Sequence, residues 1–150
     1  MYKLLHSCKS RLLLLTLLTM LVVGTSPAWA QKALPYSYGF EESSSVTSGW
    51  SKVNCHSSTE NYNVGASGVH EGTYAFRFYY NTNPPQYLIS PELATSAYSL
   101  KVSFWYKAYS SSYEESFKFG YSTTDAETSS FTWEDEVKTK STTWTEYSTT

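Results

Sequence analysis

Cysteine is scarce in this 150-residue chain: there are two, Cys8 and Cys55, and Cys8 falls in an N-terminal leader. Cys55 therefore stands alone in the mature chain, and no intramolecular disulfide is expected there. Charge is also low, at 16% of residues, and a basic excess is missing. Of the 11 basic side chains, Lys3, Lys9 and Arg11 belong to the leader, which leaves 8 against 13 acidic ones, a balance of −5. Such a surface offers no attraction to phosphate backbones or anionic lipid heads, so nucleic-acid binding is excluded as a function class. No segment after Ala30 keeps a 3.6-residue apolar period over three turns, so no long helix is expected. What the chain has instead is aromatic surface. Tyr, Phe and Trp make up 17% of it, more than a disordered Ser/Thr-rich segment carries, and the length suits one ordinary domain.

Residues 1–30 have the three parts of a secretory signal peptide. Lys3, Lys9 and Arg11 form a positive region, Leu12 to Val23 form an apolar run, and Ala28-Trp29-Ala30 offers the small-x-small cleavage pattern. Cleavage after Ala30 puts the mature start at Gln31. The competing reading is an uncleaved anchor, but the apolar run is shorter than the ~20 residues a spanning helix needs. The expectation is a protein that is secreted or held at the cell surface, with no transmembrane span after cleavage. The mature chain contains no Asn-x-Ser/Thr acceptor, which suits a bacterial exported domain.

Period-2 runs recur through residues 31–150, which are expected to form one β-sandwich domain. Tyr36, Tyr38 and Phe40 alternate with Ser37 and Gly39, and Tyr74, Phe76, Phe78 and Tyr80 alternate with Ala75, Arg77 and Tyr79. The cleanest run sets Leu100, Val102, Phe104, Tyr106 and Ala108 against Lys101, Ser103, Trp105 and Lys107. Phe117, Phe119 and Tyr121 repeat the pattern, and Tyr87 to Ile89, Phe131 to Val137 and Thr143 to Thr150 add further strands. Turn-forming stretches separate them, and Asn83-Pro84-Pro85 cannot continue a central strand. About eight short strands at this spacing predict an all-β sandwich.

Several constellations invite a chemical reading. Cys55-His56 with His70 falls short of a zinc site, because sequence neighbours on a strand face opposite ways and too few ligands are present. Gly65-Ala66-Ser67-Gly68 lacks the last glycine of a nucleophile elbow and no strand-to-helix passage follows it. Glu114-Glu115 and Glu134-Asp135-Glu136 supply carboxylates, but glycosidase chemistry needs two that oppose each other across a cleft. The chain therefore reads as non-catalytic. Trp105 and Tyr109 are out of phase with the Val102/Phe104 core run, and Tyr79 is out of phase with Phe76 and Phe78. These three are the candidates for a ligand platform on which a sugar or protein side chain stacks. Outward aromatics are also ordinary cross-strand partners, and both readings stand at this point.

Four segments taken in order carry a family likeness. They are Phe40-Glu41 with Gly49-Trp50, then His70-Glu71-Gly72-Thr73-Tyr74-Ala75, then Tyr87-Leu88-Ile89-Ser90-Pro91-Glu92-Leu93, then Leu100 to Tyr106. Together they resemble the MAM-like jelly-roll domains of secreted bacterial proteins, the group that includes the cleaved-adhesin domains of gingipain-type proteins and the choice-of-anchor J domains. The resemblance implies a jelly-roll (concanavalin-like) sandwich that binds an extracellular protein or glycan. It also implies a structural calcium (Ca2+) near the first strand, with Glu41 at the family's Phe-Glu position. Domains of this group continue into further strands with an Asp-rich motif, so the expectation is a domain lacking its closing strands and an incomplete calcium site. The alternative is the N-terminal fragment of a larger secreted protease or glycoside hydrolase that carries this domain as an accessory module.

Overall fold

Alternation of large apolar and small polar side chains favours extended backbone, and the computed structural model carries that through. It describes residues 31–42, 49–62, 68–94 and 99–150. Among them no α-helix occurs, and one 3-10 turn (Thr128–Ser130) interrupts an otherwise all-β chain. The chain divides into two units, Met1–Gln31 and Lys32–Thr150, and all the elements below belong to the second. The leader, the loop at 43–48 and Gly65 to Ser67 lie outside the described residues. Among the described residues no helix is long and apolar enough to cross a membrane.

Among the described residues twelve short strands form six two-stranded ribbons. They are β1 (Lys32–Ala33), β2 (Ser51–Val53), β3 (Glu60–Tyr62), β4 (Ala75–Arg77), β5 (Tyr87–Ile89) and β6 (Leu93–Ala94), followed by β7 (Val102–Tyr106), β8 (Glu115–Phe117), β9 (Gly120–Tyr121), β10 (Thr132–Trp133), β11 (Val137–Thr139) and β12 (Thr145–Thr149). β1 pairs with β6 in parallel, whereas β2–β5, β3–β4, β7–β12, β8–β11 and β9–β10 are antiparallel.

The strands are more numerous and shorter than the sequence patterns predict, and serine and threonine supply a physical reason. Ser110, Ser122 and Ser141 accept hydrogen bonds from backbone N–H groups two residues on. Such local bonds compete with ladder pairing and end strands early. Tyr36 to Phe40 keeps the expected alternation of half-buried and exposed side chains without joining a ladder. Phe40 itself sits at φ +59°, a left-handed turn that extended backbone cannot continue through.

The run from Leu100 to Ala108 behaves as its period demands. Val102, Phe104 and Tyr106 are half-buried while Ser103 and Trp105 are exposed, and Ala108 is buried. Lys107 departs from the expected solvent position: it is half-buried, with its Nζ 5.0 Å from the centre of the Trp144 ring. The strand expected at residues 143–150 is present over Thr145–Thr149. It supplies β12, which pairs with β7 from Thr145↔Tyr106 to Thr149↔Val102. That register places Tyr147 opposite Phe104 with rings stacked at 4.9 Å. Phe117 of β8 closes on Tyr106 at 4.7 Å and on Phe104 at 5.6 Å, so one aromatic cluster joins β7, β12 and β8.

A second cluster gathers Tyr38, Phe40, Trp50 and Phe76, with neighbouring ring centres 4.9–5.7 Å apart. The Trp50 indole N–H donates to the Tyr36 hydroxyl at 2.9 Å. A third packs Trp133 against Tyr87 and Phe131 and directly over Gly120, its cross-strand partner. A Cβ at Gly120 would come within 2.5 Å of the Trp133 ring.

Candidate ligand-binding faces

In an antiparallel ribbon, residues two apart share a face with their cross-strand partners. On β3–β4 that rule separates Asn61 and Phe76, which point inward, from Glu60, Tyr62, Ala75 and Arg77 on the other side. The inward face is anchored by Asn61, 6% exposed, whose Nδ2 donates to the Glu42 carbonyl at 2.9 Å, and by the Phe40–Phe76 ring contact. On the outward face the Arg77 guanidinium lies 3.7 Å above the Tyr62 ring and 5.2 Å from the centre of Tyr79. Glu60, directly opposite in the register, holds its carboxylate 3.6 Å from Arg77 Nη2. The same Nη2 donates to the Ser58 carbonyl at 3.2 Å.

Tyr79 lies beyond the end of β4, yet its backbone is fixed on both sides. Its N–H donates to Thr59 Oγ1 at 3.0 Å, and its carbonyl accepts from Gln86 Nε2 at 2.7 Å. Gln86 Oε1 in turn accepts from the His56 N–H and the Thr59 hydroxyl, and Thr59 is wholly buried. The His56 ring packs against Tyr79 at 4.9 Å. Tyr79 remains 44% exposed within this rigid surround.

Trp105 occupies the outward face of β7–β12, opposite Glu146. The His70 imidazole lies flat on it, with ring centres 4.0 Å apart and planes inclined by 15°. Trp144 presents its edge to the same imidazole at 6.1 Å, and its buried indole N–H has no hydrogen-bond partner. Trp105 is 44% exposed. Tyr109 stands beyond the end of β7, almost fully exposed. Among the described residues no ring contact joins Tyr79, Trp105 and Tyr109, so the three sequence candidates divide between two stations and a loop tip. Alternation along β7 matches the exposure of Trp105, whereas around Tyr79, at 44%, the expected alternation fails, since Phe78 and Tyr80 are 50% and 78% exposed. The neighbours of Trp105 and Tyr79, namely Tyr62, Arg77, His56 and His70, come from other strands and loops, and no local period announces them.

Glu41 meets the turn at residues 72–74. Its Oε2 accepts from the Thr73 N–H at 2.8 Å and its Oε1 from the Tyr74 N–H at 3.5 Å. The carboxylate fills the space a side chain would need at Gly72, whose φ of +74° already favours glycine. A carboxylate has about four acceptor positions, so this oxygen pair keeps room for a hard cation. Calcium takes six to eight oxygens, and among the described residues no group of three or more acidic, histidine or cysteine side chains converges. A carboxylate oxygen is the right kind of donor for calcium, and Glu41 would supply one ligand there.

Several of the other sequence candidates have structural partners. The Cys55 thiol donates to the Tyr87 and Val53 carbonyls, and burial pushes its pKa up despite those bonds and nearby Lys52. Glu114 and Glu136 both approach Lys138 Nζ, at 3.6 and 3.8 Å. Glu134 accepts from the Thr149 hydroxyl at 3.2 Å and the Tyr147 hydroxyl at 3.4 Å. Desolvation, reinforced by that carboxylate, raises the Tyr147 pKa above its ordinary value. Comparisons with protein-family models, with curated proteins and with solved structures found no match to this chain.

Proposed function

We propose that this chain is an exported, non-catalytic binding module, a jelly-roll-type β-sandwich that takes an extracellular glycan. The observation that carries the reading is the pair of aromatic stations at Tyr79 and Trp105. Each is a large ring, almost half exposed, and Trp105 points away from the aromatic cluster that packs the other side of its ribbon. Aromatic rings bury apolar area at low entropic cost, and those beside polar side chains suit ligands that are apolar on one face and hydroxylated at the edge. Cross-strand packing alone does not require that Tyr79 gather Arg77, itself paired with Glu60, and His56 around its ring.

The reading includes export by cleavage after Ala30 and a weak calcium at Glu41 that stiffens the 72–74 turn. Affinity electrophoresis in gels containing soluble polysaccharides tests the function. The mobility of the wild-type protein is expected to fall, and Tyr79→Ala or Trp105→Ala to restore it. A folded protein that ignores every polysaccharide would turn the reading towards a protein ligand. Thermal melts with calcium or with a chelator test the metal. Identical melting in both would remove it.

A further inference from the structure

We propose that the outward face of the β3–β4 ribbon binds a neutral saccharide, with Glu60 and Arg77 reading two adjacent ring hydroxyls while Tyr79 carries the sugar's apolar face. The proposal rests on the glycan reading above and names the ligand chemistry of one of its two stations.

The argument starts from unsatisfied hydrogen-bonding groups. A guanidinium has five N–H donors and accepts nothing, whereas a carboxylate only accepts. Arg77 spends Nη2 on the Ser58 carbonyl and on Glu60. Its Nε is buried without a partner, and its Nη1 has no protein partner among the described residues. Glu60 Oε1 faces Arg77, and no protein donor meets Oε2 among the described residues. Arg77 Nη1 and Glu60 Oε2 are therefore both left for a ligand on this half-buried face, where the two side chains meet through Nη2 and Oε1. A sugar hydroxyl both donates and accepts, so two on neighbouring carbons match the pair: one accepts from Nη1 while the other donates to the carboxylate.

Charge selects against acidic sugars. Glu60 offsets Arg77 across the 3.6 Å gap. The nearby Lys52 ammonium is turned to the Thr59 carbonyl, and the mature chain carries −5 overall. A uronate would meet a neutral pair on an acidic protein. Stacking comes from Tyr79, held by Thr59 and Gln86 through its backbone and by His56 through its ring. Tyr62 lies under the guanidinium and sets its plane. The groups are thus ordered before the ligand arrives, which lowers the entropic cost of binding.

Isothermal titration of the purified protein with four probes tests this. The probes are dextran, periodate-oxidised dextran whose adjacent hydroxyls have been cleaved, laminarin whose internal sugars keep no adjacent pair, and polygalacturonate. Dextran is expected to bind best, with little dependence on salt. Glu60→Gln, which keeps side-chain shape, and Arg77→Lys, which keeps charge but loses the fork, are each expected to weaken dextran binding roughly ten- to hundredfold. Unchanged melting temperatures would show that both variants fold, and Tyr113→Ala, far out on an exposed loop, serves as the control of unaltered affinity. Equal affinity for oxidised dextran or laminarin, or tightest binding to polygalacturonate, overturns the proposal. Wild-type affinity in both variants with loss only in Trp105→Ala overturns it too, while leaving the glycan reading in place. A folded protein that binds none of the four overturns both.

Discussion

Replacing Phe104 by alanine probes the centre of the aromatic cluster that joins β7, β12 and β8. Phe104 projects from β7 between Tyr147, stacked at 4.9 Å, and Phe117 at 5.6 Å, with Tyr106 at 6.5 Å along the same strand. A buried phenylalanine truncated to alanine costs about 3–5 kcal/mol. Phe104 is half-buried, so water reaches part of the vacated space and the lower end applies. An area estimate agrees: roughly 100–120 Å² of ring surface removed from water at ~25 cal/mol per Å² gives about 3 kcal/mol. Against a total stability of about 5–15 kcal/mol, that loss lowers the melting temperature by roughly 10–20 °C. Urea denaturation followed by near-UV circular dichroism measures it, because the stacked rings contribute the signal. Ser103→Ala, on the outward face one residue away, should stay within about 0.5 kcal/mol. A loss below ~1 kcal/mol at Phe104, or an equal loss at Ser103, would mean that the β7 side chains face the other way.

Gly120→Ala drives a methyl group into the Trp133 ring; the displaced indole should cost about 1–3 kcal/mol and shift tryptophan emission, and unchanged emission would contradict the packing. The Cys55 thiol, held protonated by burial, should react with a disulfide reagent at pH 8 more slowly in the folded protein than in urea; equal rates would refute this. Tyr147 has a folded pKa above its unfolded value near 10. Its contribution to stability is therefore complete below that unfolded value and is lost as pH rises through the folded one. Tyr147→Phe should flatten the alkaline limb of a stability–pH profile, and a limb of unchanged steepness would count against the Glu134 contact.

What a local period can carry, the sequence displays. Residues 100–108 show their inward and outward sides because the strand's period of two is written in consecutive residues. The partner strand is not written there. Residues 143–150 read as a strand, but no local pattern says that Thr145 to Thr149 match Tyr106 to Val102 in an antiparallel register. Likewise Arg77 becomes part of the candidate site through Glu60 and Tyr62 on another strand, which its own stretch does not show. Glu41 was singled out through family likeness. Its observed bonds to Thr73 and Tyr74 depend on a glycine turn thirty-odd residues downstream, which no short-range rule connects to it.

In three of the six ribbons seen among the described residues the partners lie far apart along the chain, and that sets the pace of folding. Lys32 must find Leu93, Ser51 must find Ile89, and Val102 must find Thr149 before those ladders form. Each closure orders a long loop before any contact rewards it, so topologies of this kind fold over milliseconds to seconds rather than microseconds. For a chain exported under the proposal above, slowness has a use. A polypeptide that cannot collapse into its final pairing within a few milliseconds stays threadable while a translocase moves it. Its first strand, β1, has no partner until β6 has followed it across.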